Sequence, residues 1–199
     1  ETPLPSRWLN PDRKWVQAIT IPLLTVICAV FINALNISII KADIYYKQGK
    51  HFDSGKNYDA AIQLYQRALS YATDQDFYYL FLGRAYLTKA TTISDPIQRA
   101  PWLERASETL EEARRLNPLN TDHSANLARL HRTRAEIAQD PATREQELGL
   151  ALDYYEDAVT LSPNTAKLYN EWGLIYAMLG ENEKALEKWE KSLALDDRY

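Results

Sequence analysis

Two hydrophobic patterns divide the chain. From residue 15 to residue 40 the run WVQAITIPLLTVICAVFINALNISII carries no charged side chain. Beyond it, apolar residues recur every three or four positions among charged ones, which is the period of amphipathic helices. A helix rises about 1.5 Å per residue, so the first run is long enough for a hydrocarbon core of about 30 Å. Arg13 and Lys14 bound it on one side and Lys41 on the other, while Trp8 and Trp15, then Tyr45 and Tyr46, stand where interfacial belts form. The expected organisation is therefore all-α: a juxtamembrane segment over 1–14, one transmembrane helix over 15–40, and a helical domain over 41–199. Pro22 is a place for a kink, and Asn33 and Asn36 favour a neighbouring transmembrane helix over lipid. A cleaved signal would need a shorter apolar core and a small-residue cleavage site. No Gly or Pro occurs between Leu23 and Gly49, so the span is expected to continue into the first helix of the domain. Arg7, Arg13 and Lys14 on one side nearly balance Lys41, Lys47, Lys50 and Lys56 on the other, which leaves orientation open.

The helical part repeats itself. A first unit beginning near Ala42 carries Tyr45, Gly49, Phe52, Tyr58, Ala61, Tyr65 and Ala68. A second, from Asp76, carries Tyr79, Leu82, Gly83 and Tyr86, then Leu103, Ala106, Leu110, Ala113 and Pro118. A third, from Thr121, carries Ser124, Leu127, Ala128 and His131, then Leu148, Ala151, Tyr155, Ala158 and Pro163. The fourth, from Ala166, carries Tyr169, Trp172, Gly173, Tyr176, Gly180, Ala185, Trp189 and Ser192. Small residues at Gly49, Gly83, Ala128 and Gly173 are expected to face Ala61, Ala106, Ala151 and Ala185, letting two helices of each unit approach closely. Successive starts lie 34, 45 and 45 residues apart. The surplus in the two middle units is expected as lengthened helices around longer connections that protrude on one edge. Asp95-Pro96, Ala100-Pro101 and Asp140-Pro141 supply the breaks, and Thr121 and Asp122 are candidate caps.

This pattern resembles the tetratricopeptide repeat (TPR), with an aromatic, then Leu-Gly and Tyr, and later Ala, an aromatic, Ala and Pro. The resemblance covers Ala42 to about Asp197 and implies four helical hairpins stacked as an α-solenoid whose first helices line a concave, partner-binding groove. A narrower resemblance rests on DFYYLFLGRAYL, LNPLNTDHSANLARL and LSPNTAKLYNEWG behind a transmembrane span. These phrases look like the C-terminal region of bacterial O-antigen ligase or polymerase-like membrane proteins, whose multi-span glycan-transferring domain has no counterpart in this chain. The resemblance implies a bacterial inner membrane setting, single-pass here and with the side of the domain open. It also implies an alternative function as the non-catalytic part of a glycan-polymer ligase or polymerase. Glu1 in place of Met, and a helical pattern running to Tyr199, are read as signs of a longer parent.

Charge and rare residues narrow the function. A net charge of −4 and a pI near 5.5 argue against nucleic-acid binding, which needs a cationic excess. The single Cys28 lies in the apolar run, so no disulfide or cysteine zinc site is expected within the chain. His51, His123 and His131 lack the spacing of metal ligands and read as surface or groove histidines. No phosphate-binding loop, nucleophile elbow or dinucleotide fingerprint occurs, so no catalytic, cofactor or metal residues are assigned. What remains is a binding surface for a protein or peptide. The residue after the small contact position is Lys50, Arg84 and Arg129 in three successive units, a cationic ladder that suits an acidic or carboxylate-ended peptide. Arg132 and Lys167 extend it, and Tyr46, Phe77 and Asn170 add aromatic and amide contacts. The competing expectation is that these cations pair with Asp43, Asp53 or Asp122 and only solvate the groove.

Overall fold

The structure is a computed structural model that describes residues 14–32, 37–196 and 198. The described residues form nine helices and no strand. The chain divides into two compact units, Glu1–Lys41 and Ala42–Tyr199, and each is considered by itself.

In the first unit α1 spans Lys14–Ile32, 19 residues with none buried. At about 28 Å it is long and apolar enough to cross a membrane. Pro22 lies inside it, where the missing N–H deprives the preceding turn of one carbonyl partner, and Thr25 donates its hydroxyl back to the Ile21 carbonyl at 2.8 Å. Of the apolar run read over 15–40, the described residues place those to Ile32 in α1, and Ser38 to Ile40 open the next helix, α2 (Ser38–Ser54). Asn33, Asn36 and the junction over 33–36 lie outside the described residues. Arg7, Trp8 and Arg13 do as well.

The second unit holds four hairpins. α2 pairs with α3 (Tyr58–Leu69), α4 (Asp76–Thr91) with α5 (Pro96–Leu116), α6 (Thr121–Ile137) with α7 (Pro141–Leu161), and α8 (Ala166–Leu179) with α9 (Asn182–Leu195). Each hairpin then packs on the next, α3 on α4, α5 on α6 and α7 on α8. The close approach within hairpins is set by the small residues. A methyl group on Gly49 would stand 2.6 Å from the Tyr65 ring, on Gly83 2.6 Å from Leu110, and on Gly173 2.6 Å from Trp189. The partner of each glycine is therefore the large residue one turn beyond the expected alanine. Ala61, Ala106, Ala151 and Ala185, all at most 1% exposed, form the adjoining layer. Tyr65 and Tyr155 are fully buried, each apolar ring contributing on the order of 2 kcal/mol.

Three expectations about the connections change. The surplus residues enter the second helices: α5 and α7 have 21 residues each, against 12 in α3. No long loop protrudes, because only residues 92–95 and 138–140 link the helices of those hairpins. Asp95 and Asp140 act as N-caps, accepting from the Ile97 and Thr143 amides at 2.9 Å, with Pro96 and Pro141 at the first helical position, where the missing N–H costs nothing. Pro101 is not a break. It lies inside α5, near Ile97, which is 84% exposed, so water can satisfy the carbonyl that loses its helical donor. Nor do Thr121 and Asp122 cap α6. Asn120 does, accepting from the Asp122 amide at 3.1 Å, while the Thr121 hydroxyl lies 2.7 Å from that of Ser162. Gly180 ends α8 with φ +81°, the left-handed conformation that a Cβ disfavours.

Candidate functional site

The first helices of the hairpins bring part of the expected ladder together. Arg84 on α4, Arg129 on α6 and Lys167 on α8 line one open hollow of about 480 Å³, with Asn120, Asp122, Asn126, Ser162 and the exposed Leu119 among its other walls. Lys50, Tyr46 and Phe77 belong instead to an aromatic cluster at the first two hairpins. Tyr46 meets Phe77 and Phe81 edge-on at 5.1 and 5.0 Å between ring centres. Lys50 Nζ lies 5.8 Å from the Tyr46 ring centre and 5.6 Å from that of Phe81. Tyr45 stacks on Tyr71 at 5.7 Å. The two tyrosines read as an interfacial pair are thus engaged in packing within the repeats. Arg132 and Asn170 do not line the hollow. Arg132 Nε is 3.4 Å from Glu136 on its own helix, and the Asn170 carbonyl accepts from Trp189 Nε1 at 3.1 Å.

The fate of each cation follows from the neighbouring hairpin. Two residues before the small contact position the four units carry Lys47, Phe81, Asn126 and Glu171, and the cation of one unit faces that residue of the next. Lys50 therefore lies over Phe81. Arg84 shares the hollow with Asn126. Arg129 meets Glu171, its Nε and Nη2 donating to Oε2 at 2.9 and 2.7 Å, while its Nη1 donates to Asn126 Oδ1 at 3.2 Å. The buried Tyr155 donates to the same Glu171 oxygen at 3.2 Å, and Lys167 Nζ stands 3.9 Å from the other. Burial works against the Arg129 charge, but the hydrogen bonds and charge of Glu171 outweigh it and raise its pKa. The expected carboxylate partners were Asp43, Asp53 and Asp122. Asp43 pairs with Lys47, and the partner of Arg129 is Glu171, a residue not among the expected ones. It lies 42 residues from Arg129, opposite in the next unit, a diagonal separation that comparing equivalent positions of the repeats does not show.

Arg84 ends in a different setting. Its guanidinium carbon lies 5.2 Å from the Phe81 ring centre, a cation–π contact, and it ion-pairs with no carboxylate among the described residues. Asp53 is raised above the ordinary carboxylate range by burial, only partly offset by the charge of Arg84 and a 3.5 Å hydrogen bond from Tyr65. Burial also raises Tyr46.

The histidines differ from the surface or groove reading. His123 is fully buried, its Nε2 2.7 Å from Asp76 Oδ2. His131 is buried too, with Nδ1 2.6 Å from Glu147 Oε2 and its ring stacked on Tyr154. Asp76 also accepts from Asn117 and Asn120. Burial raises the Asp76 pKa, but these bonds, led by that of His123, lower it overall. A pair of hairpins is pinned through α4 and α6 by the first contact, and α6 to α7 by the second. Among the described residues no group of three or more metal-binding side chains converges, and Cys28 is exposed on α1.

These features define a TPR-like all-α solenoid of helical hairpins. The tetratricopeptide repeat family model matches residues 166–199, the fourth hairpin. No curated protein matches the chain. Among solved structures, that of TTC0263, a thermophilic TPR protein in Thermus thermophilus, is 25% identical and superposes with a TM-score of 0.67 over 78% of this chain and 75% of that one. MamA is 19% identical, with a TM-score of 0.61 over 79% of each chain. MamA from Desulfovibrio magneticus RS-1 is 16% identical, with a TM-score of 0.60 over 79% of this chain and 76% of that one. The likeness to the two MamA structures is one of fold.

Proposed function

We propose that this chain is a non-catalytic, membrane-anchored TPR scaffold that binds an acidic or carboxylate-ended segment of a protein partner in a concave groove formed by α2, α4, α6 and α8. The observation that carries this reading is the meeting of Arg84, Arg129 and Lys167 in one hollow, since guanidinium and ammonium groups make charge-assisted bonds to carboxylates. The aromatic cluster of Tyr46, Phe77 and Phe81 beside Arg84 supplies apolar contact next to the charge. Anchoring rests on α1, whose apolar surface has no buried residue and suits lipid and the face of a second transmembrane helix. The setting proposed is the bacterial inner membrane.

Arg84→Glu tests the groove. Binding of an acidic partner is expected to weaken and to lose salt dependence, with thermal unfolding unchanged. Undiminished binding would move the interface to the other face of the hairpins or to α1. Anchoring is tested by fractionation: the chain is expected to stay with membranes after an alkaline wash and to be released by detergent. The resemblance of its phrases to the C-terminal region of O-antigen ligase or polymerase-like proteins supports a second reading, a region that helps a glycan-transferring membrane protein position its substrate or assemble. Co-purification with such an enzyme, lost on removal of residues 1–41, would favour it.

A further inference from the structure

Arg129 and Arg84 hold equivalent positions on α6 and α4, yet each nitrogen of the Arg129 guanidinium already donates a hydrogen bond to a neighbouring side chain. Two of its nitrogens converge on Glu171 Oε2 and the third is on Asn126. Tyr155 and Lys167 hold the same carboxylate from below and beside. Glu171 is the one acid among the four equivalent residues Lys47, Phe81, Asn126 and Glu171, so the arrangement belongs to this rung of the ladder and is not a property of the repeat. A carboxylate held by two guanidinium nitrogens, a phenol and an ammonium group is the geometry that a bound acidic side chain would adopt. The side-chain exposures of 22% for Arg129 and 18% for Glu171 place the pair at the groove surface, within reach of an incoming ligand.

We propose that Glu171 is a built-in occupant of the groove, a latch that takes the place of a ligand carboxylate on Arg129 and Lys167. An acidic peptide then binds the hollow in two stages. Its first carboxylate engages Arg84, which has no acid to displace. A second must exchange with Glu171 to reach Arg129. Apparent affinity is lowered by the fraction of molecules in which the latch is open, and specificity shifts to ligands with at least two suitably spaced acids, because a single carboxylate cannot compensate the displaced contact. This inference rests on the groove reading above.

The test uses the whole chain in detergent micelles and a dye-labelled hexaglutamate peptide, with binding followed by fluorescence anisotropy at low salt. Glu171→Gln keeps an acceptor for Arg129 but removes its charge, and is expected to tighten binding by roughly fivefold or more. Adding Arg129→Gln to it should abolish that gain. Asp122→Asn removes an acid that also lines the hollow without releasing Arg129, and is expected to change binding by less than about twofold. Glu171→Asp, which keeps the charge on a shorter arm, should fall between wild type and Glu171→Gln and serves if the glutamine variant folds poorly. Equal gains from Asp122→Asn and Glu171→Gln would reduce the effect to net charge and overturn the latch, as would unchanged or weaker binding by Glu171→Gln. If Arg84→Glu still weakens binding in those cases, the groove reading stands without the latch. Binding insensitive to every one of these changes removes both.

Discussion

Arg84 and Arg129 occupy the same place in successive repeats, yet one is exposed over an aromatic ring and the other is held by a carboxylate from the following hairpin. The difference lies in a residue that neither arginine's own hairpin contains. Opposite Arg84 stands Asn126, which already bonds to Arg129 and to the Asp122 carbonyl. Opposite Arg129 stands Glu171, supported from behind by Tyr155. Repeat register therefore fixes where a side chain points, whereas the next repeat decides whether it is available. In stacked architectures each unit contacts chiefly its neighbours, so function at a groove position is a property of pairs of units.

The largest expected effect comes from breaking the pair that Arg84 lacks. Glu171→Leu leaves Arg129 partly buried without its counter-charge, and the loss of one partner of such a pair costs about 3 kcal/mol, toward the low end of that class because both groups keep some exposure. Arg84→Ala, at the same register position, should change stability by less than about 0.5 kcal/mol. Urea unfolding of the two variants, with equal slopes, measures the contrast. Similar losses in both would mean that Arg84 has a structural partner of equal weight.

Much of this fold was legible in the sequence because four units agree on small and aromatic positions, and those positions have one physical task, close helix approach. The turn chemistry was only partly legible. Asp95 and Asp140 before proline mark helix starts, but Ala100-Pro101 has the same appearance of a break and lies inside α5, where an exposed surface tolerates the lost bond. The eleven surplus residues of each middle unit read as lengthened helices around a longer connection; the lengthened helices are α5 and α7, and the connections are short. Lys167 stands outside the register, whose place in the fourth unit is Leu174, whereas the placement of Arg84 and Arg129 beside one hollow was legible from it. Glu171 was not, because equivalent positions read down the repeats do not reveal a pairing that runs diagonally across them. His123 and His131 were misplaced because their partners, Asp76 and Glu147, lie 47 and 16 residues away, on other helices, where spacing along one helix says nothing.

A sharper form of the comparison makes the Arg84 rung resemble the Arg129 rung. Asn126→Glu places an acid where Glu171 stands in the next repeat, facing Arg84 in the same hollow. It is expected to capture Arg84, to repel an incoming carboxylate, and to weaken hexaglutamate binding by roughly tenfold, with some loss of stability because Asn126 is buried and its bond to the Asp122 carbonyl is given up. Adding Arg84→Glu to that variant should have much less effect than Arg84→Glu has in the wild type, because the cation is already engaged. Fully additive losses would show that the two side chains do not meet, and the diagonal pairing would then hold only at Arg129.

The smallest expected effect is one of sign, between two carboxylates at opposite ends of α2 and α4. Asp76 at the start of α4 has a lowered pKa, so its contribution to stability is present above the ordinary carboxylate value of 3.8 and is lost as pH falls through the lower folded value. Asp53 near the end of α2 is shifted the other way by burial. Its ionisation costs stability, so the folded state loses ground as pH rises from the ordinary value of 3.8 through the raised folded value, and the cost is then constant. Asp76→Asn should accordingly be destabilising at neutral pH and nearly neutral well below pH 4, whereas Asp53→Asn should be stabilising, or at least harmless, at neutral pH and nearly neutral in acid. Guanidinium unfolding at several pH values between about 3 and 7 compares the two directly. Parallel pH dependence in both variants would show that Arg84 more than offsets the burial of Asp53, which would tie Arg84 to the preceding hairpin as firmly as Arg129 is tied to the following one.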